Sequence, residues 1–149
     1  MATTNATIDL ASDITDSSLS VSNTTQLNTA GTTTGVNTMT SVTKVLSSTN
    51  QVDLIATGSV STTHAYVYIN NPSADESEYF IVTIGNAGGG SATDTEEIGR
   101  LYAGDWLFMP WTQTDANADI LVDPSVTTGM TLEYMVIHEV AANNVGINL

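Results

Sequence analysis

The chain has 149 residues, 41% of them hydrophobic, and its sixteen acidic residues against two basic ones give a net charge of −14. This length suits one domain with a real core, and so acidic a surface argues against direct binding of nucleic acid or of a membrane. Without cysteine, a signal peptide or an apolar run near the ~20 residues of a membrane span, the chain is expected to be soluble and made in a cytoplasm.

The first fifty residues differ from the rest. They contain no aromatic residue, and 22 of the 50 are Ser or Thr. Sparse alternating apolar pairs, Ile8 with Leu10 and Leu19 with Val21, are typical of an extended segment with one face against a surface. Two interpretations stay open: a flexible tail, or an arm that adds strands to a neighbouring subunit. The abundance of β-branched residues favours the arm.

The body begins with short strand-like runs. Residues 64–70 alternate, with Tyr66 and Tyr68 on one face and Val67 and Ile69 on the other. The sequence predicts strands at residues 41–46, 51–56, 64–70 and 78–84, the last apolar enough to be buried on both faces.

Residues 97–111 hold both tryptophans and one of the two phenylalanines, so we expect the core to centre here. Two strands, 98–102 and 106–109, are predicted around a turn at residues 103–105, the second stopped by Pro110. Trp106 and Phe108 share strand parity and are expected to point inward. Trp111 follows the proline and is expected at a rim, where a partner or a sugar would stack on it.

Two further strands, 120–122 and 130–140, complete the pattern, and no helical period occurs. Seven or eight short strands separated by turns predict an all-β protein, a single jelly-roll-like β-sandwich with an extended N-terminal arm. We predict an arm at residues 1–40, a sandwich body at 41–140 and a tail at 141–149.

No motif carries chemistry. Residues 85–91 copy the outer glycines of a P-loop, but Ser91 stands where the lysine belongs. Asp115-Ala116-Asn117-Ala118-Asp119 copies the opening of an EF-hand loop without its glycine or its closing glutamate, which leaves open a different calcium site. His64 and His138 lack a second ligand at strand spacing. The sequence therefore predicts no catalytic, cofactor or metal residue, and no enzyme.

A set of motifs in a fixed order carries a family resemblance. The Thr/Ser-rich arm is followed by Tyr79-Phe80, by Ile98-Gly99-Arg100-Leu101-Tyr102-Ala103-Gly104-Asp105-Trp106, by Pro110-Trp111 and by Met130-Thr131-Leu132-Glu133-Tyr134. This order resembles small virion structural proteins of marine tailed phages, cyanophages in particular. The resemblance implies a capsid decoration (cement) protein: a β-rich homotrimer that binds the major capsid protein on the outer surface of the virion, after assembly in the host cytoplasm.

If the resemblance holds, arm residues contact the capsid or a neighbouring subunit. The predicted contacts are Ile8, Leu10, Ile14, Leu19 and Val21, with Trp111 as a further interface residue. Two alternatives stay open: a head-fibre, neck or tail protein of the same virion, and a carbohydrate-binding β-sandwich that holds sugar, with or without calcium, through Trp111 and its acidic loops.

Overall fold

The computed structural model describes residues 4–12, 19–28, 35–36, 38–47, 50–60, 64–86, 95–112 and 118–139. Within these ranges the regular structure consists of β-strands, and no helix occurs. The strands are β1 Asn5–Ser12, β2 Leu19–Gln26, β3 Thr38–Leu46, β4 Val52–Ile55, β5 His64–Asn70, β6 Tyr79–Gly85, β7 Glu96–Tyr102, β8 Trp106–Thr112, β9 Asp119–Pro124 and β10 Met130–His138.

Strands β3 to β10 form two antiparallel four-stranded sheets, in the orders β3-β10-β5-β8 and β4-β9-β6-β7. The pairs are nested along the chain: β6 lies beside β7, β5 beside β8, β4 beside β9 and β3 beside β10. One hydrophobic cluster joins side chains of both sheets. The predicted all-β fold and β-sandwich are confirmed.

The core lies between the inner faces of the two sheets. Alternation along β5 buries Ala65, Val67 and Ile69, and β6 contributes Phe80 and Val82 to the same cluster. Completely removing a side chain of this size from water stabilises the fold by about 1.5–3 kcal/mol. The predicted faces of β5 are therefore correct.

The placement of the three large rings differs from the prediction. Trp106 is 53% exposed, and Phe108 is partly buried in a second, smaller cluster outside the main core. Trp111 is 3% exposed and belongs to the main core. The expectation that Trp106 and Phe108 point inward and Trp111 lies at a rim is thus wrong. Strand β8 runs unbroken through residue 111, so its odd-numbered side chains face the core and its even-numbered side chains face the opposite side of the sheet.

Pro110 does not stop β8, contrary to the prediction. It lies opposite Tyr66 in the ladder with β5, and β8 is an edge strand of its sheet. A proline is tolerated on an edge strand because the missing N–H can face away from the neighbouring strand. The strand therefore continues to Thr112.

Candidate binding surface

Strands β1 and β2 form a separate two-stranded antiparallel sheet with two unlike faces. Directly opposed residues share a face, so Ile8, Leu10 and Val21 lie together on one side. The other side is polar: Thr7 and Thr24 share a hydroxyl hydrogen bond of 2.7 Å, and the Ser22 hydroxyl donates to the Asp9 carboxylate. The hairpin is therefore amphipathic.

The root of this hairpin is fixed to the body. Leu27 and Val36 are buried with Ile137 of β10 in the smaller cluster, and Ala6 packs against the same cluster. The Leu27 N–H donates to the Thr4 carbonyl at 2.9 Å, which closes the base of the hairpin. The described residues of the leading segment are thus anchored on the outside of the sandwich, and none of them belongs to the main core cluster.

The rest of the apolar face is uncovered. Ile8, Leu10 and Val21 are 41%, 54% and 44% exposed. Of the other predicted contacts, Leu19 pairs with Ser12 in the hairpin, and Ile14 lies outside the described residues. Three of the predicted contacts therefore form one apolar patch, which we call the hairpin patch (Ile8, Leu10 and Val21).

The outer side of the β5–β8 pair carries a row of rings that sequence reasoning missed. We call it the aromatic face (Tyr66, Tyr68, Trp106 and Phe108). Tyr66 and Phe108 stack at 5.9 Å between ring centroids, and Tyr68 and Trp106 lie 6.2 Å apart at 34°. The signal was present in the sequence, since a continuous β8 paired with β5 puts the even-numbered rings of both strands on one face.

Two adjoining cavities separate the hairpin from the aromatic face. One, of about 240 Å³, is lined by Ala6, Thr7 and Ile8 on the hairpin and by Tyr68, Trp106 and Phe108 below. The other, of about 390 Å³, continues from Ala6 toward Leu27 and Met135. The hairpin therefore overhangs an open, mainly apolar cleft with Trp106 at its mouth.

Trp111 is unavailable to a partner in this structure. Its ring is buried in the core, and its indole Nε1–H donates to the Ala118 carbonyl at 2.7 Å. This hydrogen bond satisfies the only polar group of the ring, as buried tryptophans require. A sugar or protein contact through Trp111 therefore has no structural basis here.

Among the described residues, no three His, Asp or Glu side chains cluster so as to hold a metal ion. His138 is buried, and its Nδ1 lies 3.1 Å from the Glu139 carbonyl. His64 packs edge-on against Tyr66. Residues 87–94, 113–117 and 140–149, which include most of the Gly-rich loop, most of the EF-hand-like segment and the predicted tail, lie outside the described part of the chain.

The acidic groups of the second sheet are in contrasting surroundings. Asp119 is buried, and its Oδ1 accepts hydrogen bonds from the Thr57 N–H and hydroxyl at 2.6 and 2.8 Å. Burial, and the nearby charge of Asp119, raise the pKa of Asp53. Burial alone raises the pKa of Asp123, whose Oδ1 has no hydrogen-bond partner among the described residues. The ionised carboxylates of Asp53 and Asp123 therefore lower the stability of the fold.

The described residues include no helix that could cross a bilayer. No family model and no curated protein matches the chain. Among solved structures, the Yersinia pseudotuberculosis-derived mitogen matches at 14% identity with a TM-score of 0.41, covering 72% of this chain and 92% of that one. So distant a likeness carries no argument about function.

Proposed function

We propose that the protein is a non-enzymatic virion structural protein, a capsid decoration protein that binds the outer shell of a tailed-phage head and stabilises it. The observation that carries the proposal is the hairpin patch, an exposed apolar surface on a two-stranded sheet whose root is anchored to the body. The sequence resemblance supports the same role, and the nested strand order supports a jelly-roll-like body.

A two-stranded sheet is marginally stable by itself in water and gains stability when its apolar face is covered. The three side chains of the hairpin patch are about half exposed, so covering them offers roughly 2–4 kcal/mol in total. A single such contact gives weak binding. On a symmetric shell, a trimer makes several contacts at once, and the attachment becomes durable. The homotrimer that the resemblance implies supplies these multiple contacts.

The charge of the molecule supports a protein partner. A net charge of −14 repels nucleic acid and anionic lipid, so an uncharged exposed surface on this chain is expected to meet a protein. The hairpin patch is such a surface, and the major capsid protein is the partner we propose for it. In this role the protein is assembled in the host cytoplasm and resides on the outer surface of the capsid.

A charge placed on the hairpin patch tests the proposal. Leu10→Asp with Val21→Asp should reduce binding to heads of the phage that encodes the chain by at least tenfold, because burying these positions would then desolvate two carboxylates. Ala11→Asp with Ser20→Asp adds the same charge to the opposite face of the hairpin and should bind normally. Co-sedimentation of protein with purified heads measures both.

An equal loss of head binding in the two double variants would show that added charge alone weakens attachment. Undiminished head binding by both variants would contradict the proposed contact.

Counting copies of the protein per particle by cryo-electron microscopy tests its location on the virion. Hundreds of copies support the shell, whereas a few to a few dozen would contradict it and move the protein to a fibre, neck or tail. A portal or capsid gene beside this one in the genome would support a virion role in either case.

A further inference from the structure

We propose that the mouth of the cleft beside Trp106 binds an arginine side chain of the protein partner. This inference rests on the proposed function for the identity of the partner, but the chemistry of the site is independent of it. The binding surface, which we call the Trp106 shelf, consists of Tyr68, Asn70, Trp106 and Glu133.

The four residues lie in two neighbouring rows of the β10-β5-β8 sheet. Asn70 is directly opposite both Glu133 on β10 and Trp106 on β8, so all three share a face. Tyr68 is two residues before Asn70, which places it on that same face. Since neighbouring strands are about 4.8 Å apart, the backbones that carry the Glu133 carboxylate and the Trp106 indole are about 10 Å apart, with the shorter Asn70 side chain between them. A guanidinium group that lies over Asn70 reaches both.

The aromatic half of the shelf suits a cation. Trp106 is 53% exposed, so about half of its surface is accessible to a ligand, and the centroid of the Tyr68 ring lies 6.2 Å from that of the indole. Tryptophan binds cations on its ring face more strongly than any other side chain does. Arginine also stacks through its planar guanidinium, which favours it over lysine.

The polar half of the shelf supplies a positioned negative charge. The Asn70 side-chain amide donates to Glu133 Oε2 at 3.1 Å. This hydrogen bond holds the carboxylate toward β5 and the Trp106 side of the sheet, where it accepts hydrogen bonds from the guanidinium fork.

The cleft accommodates the stem of the same side chain. The cavity of about 240 Å³ behind Trp106 is lined by Ala6 and Ile8 of the hairpin as well as by Phe108. An arginine places its methylene groups on apolar surface and keeps its charged head in a polar setting. The cavity offers the apolar surface for the stem, and the adjoining shelf offers the polar setting for the head.

The charge distribution of the protein selects a cationic ligand over a neutral or anionic one. The chain has only two basic residues, Lys44 and Arg100. Lys44 lies opposite Leu132, a core residue, and therefore on the other face of β3. Arg100 lies on β7 of the second sheet, 3.6 Å from Glu97. Neither competes with an incoming guanidinium at the shelf.

The test uses the full-length protein and blocked ten-residue peptides of Gly and Ser. Three peptides carry two arginines, two lysines or two citrullines, and citrulline keeps the shape of arginine without its charge. We expect the arginine peptide to bind most tightly, lysine less and citrulline least. Trp106→Ala should weaken arginine-peptide binding by roughly two- to thirtyfold, and Trp106→Phe by less. Calorimetry measures the affinities.

A matched pair of variants separates the shelf from the general negative charge. Glu133→Gln should weaken binding at least threefold more than Glu96→Gln, which removes the same charge from an exposed position on the second sheet. The melting temperature of each variant confirms that it is folded.

Equal effects of Glu133→Gln and Glu96→Gln, with no effect of Trp106→Ala, would overturn the proposal in favour of unspecific attraction. Tighter binding of citrulline, or of a neutral methyl glucoside, than of arginine would also overturn it, the latter in favour of a sugar site. The peptide assay needs no phage heads. If the protein binds the arginine peptide through the shelf but does not bind heads, only the capsid role is refuted. If it binds heads but not the peptide, only the shelf is refuted.

Discussion

Asn71 connects the segment before β6 to β7 through its side-chain amide and to the turn between β7 and β8 through its backbone. It is completely buried, donates to the Leu101 carbonyl at 3.0 Å and accepts a hydrogen bond from the Ser73 N–H at 3.1 Å. Its backbone N–H donates to the Asp105 carbonyl at 3.0 Å, and its carbonyl accepts from the Gly104 N–H at 2.9 Å. One residue thus satisfies polar backbone groups of two chain segments.

Replacing Asn71 with alanine should lower the free energy of unfolding by about 2–4 kcal/mol, because buried backbone groups lose their partners. Asn70→Ala is the control. The Asn70 side-chain amide donates a hydrogen bond to Glu133 at an exposed position, so losing this hydrogen bond should cost under about 1 kcal/mol. Urea unfolding curves measure both, and similar losses for the two variants would contradict the assigned role of Asn71.

The strands show how far sequence reasoning reaches. Alternation in β5 correctly separated Val67 from Tyr66. Alternation alone, however, does not identify the side of a strand that faces the core. For Trp106, the pairing of β8 with β5 determines which face of the sheet the ring lies on. The ring-free leading segment gave no sign that Leu27 and Val36 would pack on the body, because that contact depends on tertiary placement.

The turn between β7 and β8 requires a glycine. Gly104 has a φ of +81°, a left-handed backbone conformation that residues with a Cβ rarely adopt. A Cβ at this position would meet no atom within 4 Å, so space is not the constraint. The turn is tight: the Asp105 N–H donates to the Tyr102 carbonyl at 2.9 Å, and the Asp105 carboxylate accepts from the Tyr102 N–H at 3.0 Å.

Gly104→Ala should therefore destabilise the protein by about 1–2 kcal/mol through backbone strain alone. Gly99→Ala provides the comparison. It lies within β7, is not among the glycines with positive φ, and also has open space around its Cβ. That change should be neutral or stabilising by up to about 1 kcal/mol. Thermal unfolding of both variants measures the difference, and equal effects would exclude backbone conformation as the cause.

The molecule as a whole carries more negative charge than its folded state favours. Self-repulsion from a net charge of −14 opposes compactness, and Asp53 and Asp123 add local desolvation. A carboxyl whose pKa is raised on folding supports the native state while it is protonated. That support is lost as the pH rises from the ordinary value of 3.8 through the folded-state pKa. Mild acidification should therefore stabilise the folded state, because it protonates these carboxylates.

Asp123→Asn should raise the melting temperature at pH 7 by about 1–3 °C. It should leave the melting temperature unchanged below pH 3.8, where the protonated aspartate is as uncharged as asparagine. Asp75→Asn should act in the opposite direction. Hydrogen bonds from Ser77 lower the pKa of Asp75, so its ionised form favours the folded state at neutral pH. Melting curves from pH 3 to 8 test both, and a common sign would contradict the assigned environments.

The nested strand order has a consequence for biosynthesis. β9 and β10 are the last strands of the sandwich to leave the ribosome, yet each lies inside its sheet, β9 between β4 and β6 and β10 between β3 and β5. Of the ladders in the two four-stranded sheets, a nascent chain that ends before residue 119 can make only β5–β8 and β6–β7, which leaves β3 and β4 without their partners in the folded protein. β9 and β10 therefore complete one sheet each, and neither sheet can assemble fully before its last strand is made.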